Sequence, residues 1–219
     1  LRGVYANGFE TPSPIQKKAL IPVIKRRDVI AQAQSGTGKT GAFVIGSLQL
    51  IEVEQKETQI IIISPTRELS RQNYDVVVRI SHFMNINCQL LIGGTSTDDD
   101  KELLNNKTPH IVVGCPGRIY DMIRRKYLKT NSIKMLVLDE ADEMLSAGFK
   151  DQIYKIFQFM NNDVQLGLFS ATMPDELNML TSKFMRNPIR ILEKRELLTL
   201  QGIAQFYIAL DNDEHKYAT

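Results

Sequence analysis

"DVIAQAQSGTGKT", residues 28–40, is the stretch whose reading decides the fold. Its first part, "DVIAQA" (28–33), is a short apolar run without polar alternation, which predicts a strand buried on both faces. Its second part, "SGTGKT" (35–40), is punctuated by glycine and leads into a helix pattern from about Gly41. Glycine lets successive backbone N–H groups turn toward one anion without Cβ clashes. The helix N-terminus that follows adds partial positive charge. Strand, loop and helix in that order form a cradle for phosphates. Ser35, Gly36, Thr37 and Gly38 build the loop, Lys39 reaches the outer phosphates, and the Thr40 hydroxyl is a ligand for Mg2+. The usual pattern opens on a glycine; here Ala33 holds that place.

Outward from this loop, strand-like runs alternate with helix-length segments. The runs are 28–33, "QIIIIS" (59–64), "NCQLLIG" (87–93), "HIVVGC" (110–115), "KMLVLD" (134–139), "QLGLFSA" (165–171) and "IRILE" (189–193). Between them lie amphipathic stretches such as 66–84. Continuous apolar strands separated by helices predict an α/β fold: a parallel sheet with helices on both faces, binding its ligand at the strands' C-terminal ends. Residues 1–193 read as one domain. Residues 194–219 read as a linker and the opening strand of a second domain, so the sequence is expected to be part of a longer protein.

At 135–142, "MLVLDEAD" ends an apolar run on two adjacent carboxylates, Asp139 and Glu140. Such a pair repels and is costly to bury unless a cation compensates it. Nucleotide hydrolases with a phosphate loop hold Mg2+ between the loop's Ser/Thr and an acid at the end of another strand. Thr40 and Asp139 suit that role. Glu140 is then placed to orient and polarise an attacking water.

"DEAD" (139–142) together with "AQSGTGKT" (33–40) resembles the DEAD-box RNA helicases. Further motifs of that family's first RecA-like domain follow in order: "GFETPSPIQ" (8–16), "PTREL" (65–69), "GG" (93–94), "CPGR" (115–118) and "SAT" (170–172). The resemblance covers nearly the whole chain. Stretches such as "DEADEMLSAGFKDQIYKIF" and "FMRNPIRIL" point to the translation initiation factor 4A subgroup, which includes an exon-junction relative.

The resemblance implies a role for each motif. Gln16 would read the adenine edge of ATP, with Phe9 and Thr11 packed near the base. Pro65, Thr66 and Arg67, Gly93 and Gly94, and Cys115, Pro116, Gly117 and Arg118 would grip the backbone of single-stranded RNA without reading its sequence. Ser170 and Thr172 would hydrogen-bond the DEAD acids, Asp142 in particular, and link nucleotide state to RNA binding. Lys39, Asp139, Glu140, Ser170 and Thr172 form the expected catalytic set. Cys115 replaces the family's threonine, and a thiol is a weaker donor than a hydroxyl; Ser70 replaces the commoner alanine. From the residues alone, Gln16 is an exposed helix amide, while Arg67 and Arg118 leave two readings open: a grip on sugar-phosphate, or a helix start at Arg67 and Glu68 with Arg118 as a surface charge.

The expected activity is ATP-dependent RNA unwinding in translation initiation, with little turnover from this half alone. The alternative is an RNA clamp of the exon-junction type with suppressed turnover. Initiation-factor scaffold proteins are expected partners of a monomeric, cytoplasmic protein, or a nuclear one for the exon-junction type.

Composition agrees with an ordinary globular chain. Of 219 residues 43% are hydrophobic and 24% charged, and the net charge of +2 excludes a bulk basic signature. The basic run "IRRKYLK" (123–129) is either a solvated helix end or a local binding patch. Two cysteines, Cys88 and Cys115, are too few for a disulfide framework. Scattered His82, His110 and His215 do not predict a zinc site. Met144, Met160, Met179 and Met185 read as core packing. No run is long enough to span a membrane.

Overall fold

The computed structural model describes residues 1–192, so the expected linker and opening strand at 194–219 lie outside the described residues. In chain order the elements are α1 (Arg2–Ala6), α2 (Pro14–Ile24), β1 (Val29–Gln32), α3 (Lys39–Leu48), β2 (Ile60–Ile63), α4 (Arg67–Ser81), β3 (Cys88–Leu91) and α5 (Thr97–Asn106). There follow β4 (Ile111–Gly114), α6 (Pro116–Arg124), β5 (Met135–Asp139), α7 (Ala141–Ser146), α8 (Lys150–Gln158), β6 (Gln165–Ser170), α9 (Asp175–Phe184) and β7 (Ile189–Leu192).

The strands form one sheet in the order β3-β4-β2-β5-β6-β1-β7, and every neighbouring pair is parallel. All seven expected strands are present among the described residues. Each is shorter than its apolar run, because the run's flanks cover the first and last turns of the connections.

"IIII" shows why continuous apolar runs make this sheet. Side chains alternate across a strand. Ile60 and Ile62 face one layer with Ala19 and Val23 of α2, Phe43 and Val44 of α3, and Val77 of α4. Ile61 and Ile63 face the other, with Ile119 and Met122 of α6, Ile156 of α8 and Leu180 of α9. All four isoleucines are fully buried. Each contributes roughly 1.5–3 kcal/mol by leaving water, and a polar residue at either parity would face a dry layer.

Two boundaries differ from the sequence reading. α3 begins at Lys39 rather than near Gly41, because Gly38 takes a left-handed conformation (φ 101°) and serves as the cap. α4 stops at Ser81 rather than Met84, where the chain turns through Asn85 at positive φ. Met144 is buried, and Met160 and Met185 pack against the core, but Met179 is 66% exposed on the outer side of α9. The basic run ends α6: Arg124 and Arg125 are exposed and both pair with Asp121.

Parallel connection brings the C-terminal ends of all strands to one edge. That edge carries the loop at 33–38 after β1, Ser170 after β6, Asp139 and Glu140 after β5, Pro65–Arg67 after β2, Cys115 after β4 and Gly93–Gly94 after β3. The strand order divides it. β1, β6 and β5 are consecutive and carry the phosphate loop, "SAT" and "DEAD". β2, β4 and β3 are consecutive and carry "PTREL", "CPGR" and "GG".

Candidate functional site

The phosphate loop leaves β1 without needing its usual first glycine. Ala33 is fully buried, its N–H donates to Ser170 O (3.0 Å), and it prolongs the ladder with β6. The turn comes later, at Gly36 (φ 83°) and Gly38 (φ 101°), where L side chains are disfavoured. Thr37 Oγ1 donates to Gln34 O (2.7 Å) and closes the loop. The loop then enters α3, so its backbone N–H groups and the helix N-terminus converge on one point.

Lys39 is the charge at that point. Its Nζ lies 3.0 Å from Glu140 Oε1, with the two side chains only 5% and 15% exposed. Ser35 Oγ donates to the same oxygen at 2.9 Å. The Glu140 backbone is left-handed (φ 50°, ψ 55°), a costly conformation for a non-glycine residue. That turn redirects the chain from β5 into α7. Lys39 and Glu140 therefore meet across β6, the strand that separates β1 from β5.

Asp139 is 2% exposed. Burial raises its pKa to about 6; the hydrogen bond from Asn73 and the charge of Lys39 oppose the rise, and Glu140 adds to it. Asn73 Nδ2 reaches Asp139 Oδ2 at 2.8 Å and Ser64 Oγ at 2.9 Å. Neither Asn73 nor Ser64 stands out as a site residue in the sequence. One signal was legible: the buried stripe of α4 runs Ser70, Asn73, Val77 and Ile80, so Asn73 is a carboxamide at a core position.

The third acid, Asp142, is tied to β6. Thr172 donates to Asp142 Oδ2 twice, from its hydroxyl (2.6 Å) and from its backbone N–H (2.9 Å). Ser170 Oγ accepts from the Asp142 N–H at 3.2 Å. Burial opposes ionisation of Asp142, but these hydrogen bonds outweigh it and hold the carboxyl below its ordinary pKa. Gln32 Nε2 donates to Ala171 O, which joins the end of β1 to the same turn.

Gln16 is not an exposed amide; it is 5% exposed. It accepts from the Ser13 N–H (2.9 Å) and donates to Gly38 O (3.1 Å), so the start of α2 rests on the phosphate loop. A Cβ at Gly38 would fall 2.7 Å from Gln16 Nε2, and one at Gly41 would fall 2.8 Å from the Phe9 ring. Those glycines are what let Phe9 and Gln16 close over the start of α3. Thr11 is exposed beside them.

On the other half of the edge, Thr66 caps α4 by accepting from the Leu69 N–H at 3.2 Å, and Cys115 holds the N-cap position of α6 ahead of Pro116 without a side-chain cap bond. Two helix N-termini thus face the same side, a favourable arrangement for anionic oxygens. The two arginines behave differently. Arg67 is exposed and lies over Gly93 and Gly94; a Cβ at Gly94 (φ 89°) would fall 2.7 Å from its Nη1. Arg118 is turned inward, with Nη1 paired to Asp100 Oδ2 and bonded to Thr95 Oγ1, and Nη2 bonded to Thr95 O (2.8 Å). Arg118 therefore braces the turn after Gly94 and is not a free surface charge. Asp100 belongs to the acidic run 98–100, where sequence alone does not single it out. Ser70 Oγ and Cys115 Sγ lie 3.5 Å apart, so the two departures from the family pattern touch one another.

The DEAD/DEAH box helicase family profile matches residues 13–180. An ATP-dependent RNA helicase eIF4A of Neurospora crassa is 58% identical over all 219 residues, which cover 55% of that relative. The corresponding protein of Pyricularia oryzae is 57% identical with the same coverage. The chain thus spans about half the length of these curated relatives. Among solved structures, a DEAD box protein from the hyperthermophile Methanococcus jannaschii superposes with a TM-score of 0.84 at 36% identity, covering 88% of this chain and 53% of that one. S. cerevisiae Dbp5 bound to RNA and ADP BeF3 gives 0.78 at 37% identity, over 88% of this chain and 49% of that one. With the phosphate loop, the DEAD acids and "SAT" on three consecutive strands, and a profile match across most of its length, the chain belongs to the DEAD/DEAH box helicase family.

Proposed function

We propose that this chain is the nucleotide-binding half of an ATP-dependent RNA helicase of the initiation factor 4A type. The observation that carries the reading is the 3.0 Å approach of Lys39 to Glu140, which unites the phosphate-holding cation and the water-orienting acid in one pocket. The sequence and structure of the relatives support it.

The residues divide the work by position. Gln16 and Phe9 close over the base, and Ser35 to Thr40 wrap the phosphates. An arriving phosphate draws Lys39 away from Glu140. The released carboxylate can accept a hydrogen bond from the attacking water, and its proton, as the bond from the terminal phosphorus to the ADP oxygen breaks. The Thr40 hydroxyl and the Asp139 carboxylate are hard oxygen donors that suit Mg2+, and a buried acid whose charge is disfavoured is the kind of site a cation stabilises. When bound, Mg2+ neutralises negative charge on the phosphates. Ser170 and Thr172 hold Asp142, so the end of β6 responds to the nucleotide side. Thr66, Arg67, Gly93, Gly94 and the N-terminus of α6 bind sugar-phosphate, which makes RNA binding sequence-independent and salt-sensitive. Arg118 contributes by holding the Gly93–Gly94 turn. Initiation-factor scaffolds, a monomeric state and cytoplasmic action follow from the same subgroup reading.

Turnover needs the second half. An arginine finger of the type supplied by a partner domain is worth about 10³–10⁵ in rate. The test is ATPase rate with and without single-stranded RNA, on this chain and on a protein extended through a second domain, with Glu140→Gln as control. RNA-stimulated turnover only in the longer protein, lost with Glu140→Gln, is expected. Full RNA-stimulated turnover in this chain alone would overturn the division of labour. Long residence on RNA without turnover in the longer protein would favour a clamp.

A further inference from the structure

Asn73 stands where the two halves of the binding edge meet. It lies on α4, about two turns after the Thr66 and Arg67 end, and β2, which feeds α4, is the direct neighbour of β5. The side chain is 1% exposed. A carboxamide nitrogen carries two hydrogens in a fixed plane. Here one goes to Ser64 Oγ at the end of β2 and the other to Asp139 Oδ2 at the end of β5. An acid facing the amide requires the nitrogen, not the oxygen, on that side. With both hydrogens committed, the rotamer of Asn73 is set, and one oxygen of Asp139 is held.

We infer that Asn73 is a positioning residue for the metal-facing carboxylate: its bridge from Ser64 to Asp139 fixes the carboxylate plane and so aims the other oxygen of Asp139 toward the phosphate loop. The inference rests on the reading of Asp139 as the acid facing Mg2+. An apolar residue is the ordinary occupant of a buried place on a helix, such as this one between Ser70 and Val77 on α4. A donor there instead holds one particular orientation of the acid. Because Asn73 sits on the helix that begins at Arg67, a shift of α4 moves the donor and with it Asp139. Nucleotide affinity without metal does not depend on Asn73, since it touches neither the phosphate loop nor Gln16. Outer partners of metal-ligating groups are typically worth about 10–100-fold in metal affinity.

The experiment measures ADP binding to this chain by titration calorimetry, once in Mg2+ and once in EDTA. It compares the unmodified protein with Asn73→Leu, which keeps the branched side-chain shape and removes the donor. Asn73→Leu is expected to lose about tenfold or more of the Mg2+-dependent gain in affinity while its affinity in EDTA is unchanged. Ser64→Ala keeps the bond to Asp139 but frees the amide to swing, and is expected to lose a smaller part of the same gain; it decides the question should Asn73→Leu not fold. The full Mg2+ gain retained by the variants, or an equal loss with and without Mg2+, would overturn the inference and leave the assignment of Asp139 intact. Unmodified protein that binds ADP no better in Mg2+ than in EDTA would overturn that assignment and the inference together.

Discussion

Replacing Asp139 by Asn should make the protein more stable and less able to use metal, with a pH dependence that identifies the cause. Burial moves the Asp139 carboxyl from the 3.8 of a free aspartate up to about 6. The folded state therefore holds this proton more tightly than the unfolded chain. Its contribution to stability is fully present below 3.8 and is lost as the pH rises through 6. At pH 8 the ionised acid costs about 3 kcal/mol, since each tenfold change in proton affinity is worth about 1.4 kcal/mol; at pH 4.5 the same linkage gives only about 1 kcal/mol. Asparagine carries no such charge, and its oxygen still accepts from Asn73. Asp139→Asn is thus expected to raise the melting temperature at pH 8 by about 5–10 °C for a chain of this size, with a distinctly smaller gain at pH 4.5. Thermal and urea melts at the two pH values measure it. Equal stability at pH 8, or a gain that does not change with pH, would refute the account of Asp139 as a buried acid held at a cost to the fold. The same variant should bind ADP equally in Mg2+ and EDTA.

The two arginines separate cleanly. Arg67→Ala removes an exposed cation and is expected to leave stability within about 0.5 kcal/mol while lowering the salt slope of RNA binding by about 1. Arg118→Ala strands the buried Asp100 and is expected to cost about 3–5 kcal/mol in a urea melt. Gly94→Ala must take a left-handed conformation with its Cβ against Arg67; a loss of about 1–2 kcal/mol and weaker RNA binding in filter assays are expected. Thr172→Val deletes the exposed 2.6 Å bond to Asp142 but leaves the backbone bond in place, and is expected to cost about 0.5–1.5 kcal/mol, most clearly above the Asp142 pKa, where the carboxylate is charged. That pKa is held low, so the stabilisation is present at neutral pH and is lost as the pH falls through it. A melt of this variant that matches the unmodified protein at pH 7 would refute it.

What can be read from the order of residues is local. Seven apolar runs specify seven strands because side chains alternate faces, and the central runs are dry on both while β3 and β7 at the sheet's edges are dry on one. "SGTGKT" specifies its loop because Gly36 and Gly38 alone make the left-handed turns cheap. "DEAD" and "SAT" are legible as strand ends because charged or hydroxyl side chains stop an apolar run. Which distant groups share a hydrogen bond is settled only by packing. Gln16 is buried on Gly38 rather than exposed; Arg118 is turned in to Asp100 while Arg67 is left out; Asn73 holds Asp139. Each depends on a strand order, β3-β4-β2-β5-β6-β1-β7, that no local pattern encodes. The energy of a buried polar group is set by the partner that the fold places within about 3 Å of it. A residue's type states what it can bond, and only the packed chain states what it does bond.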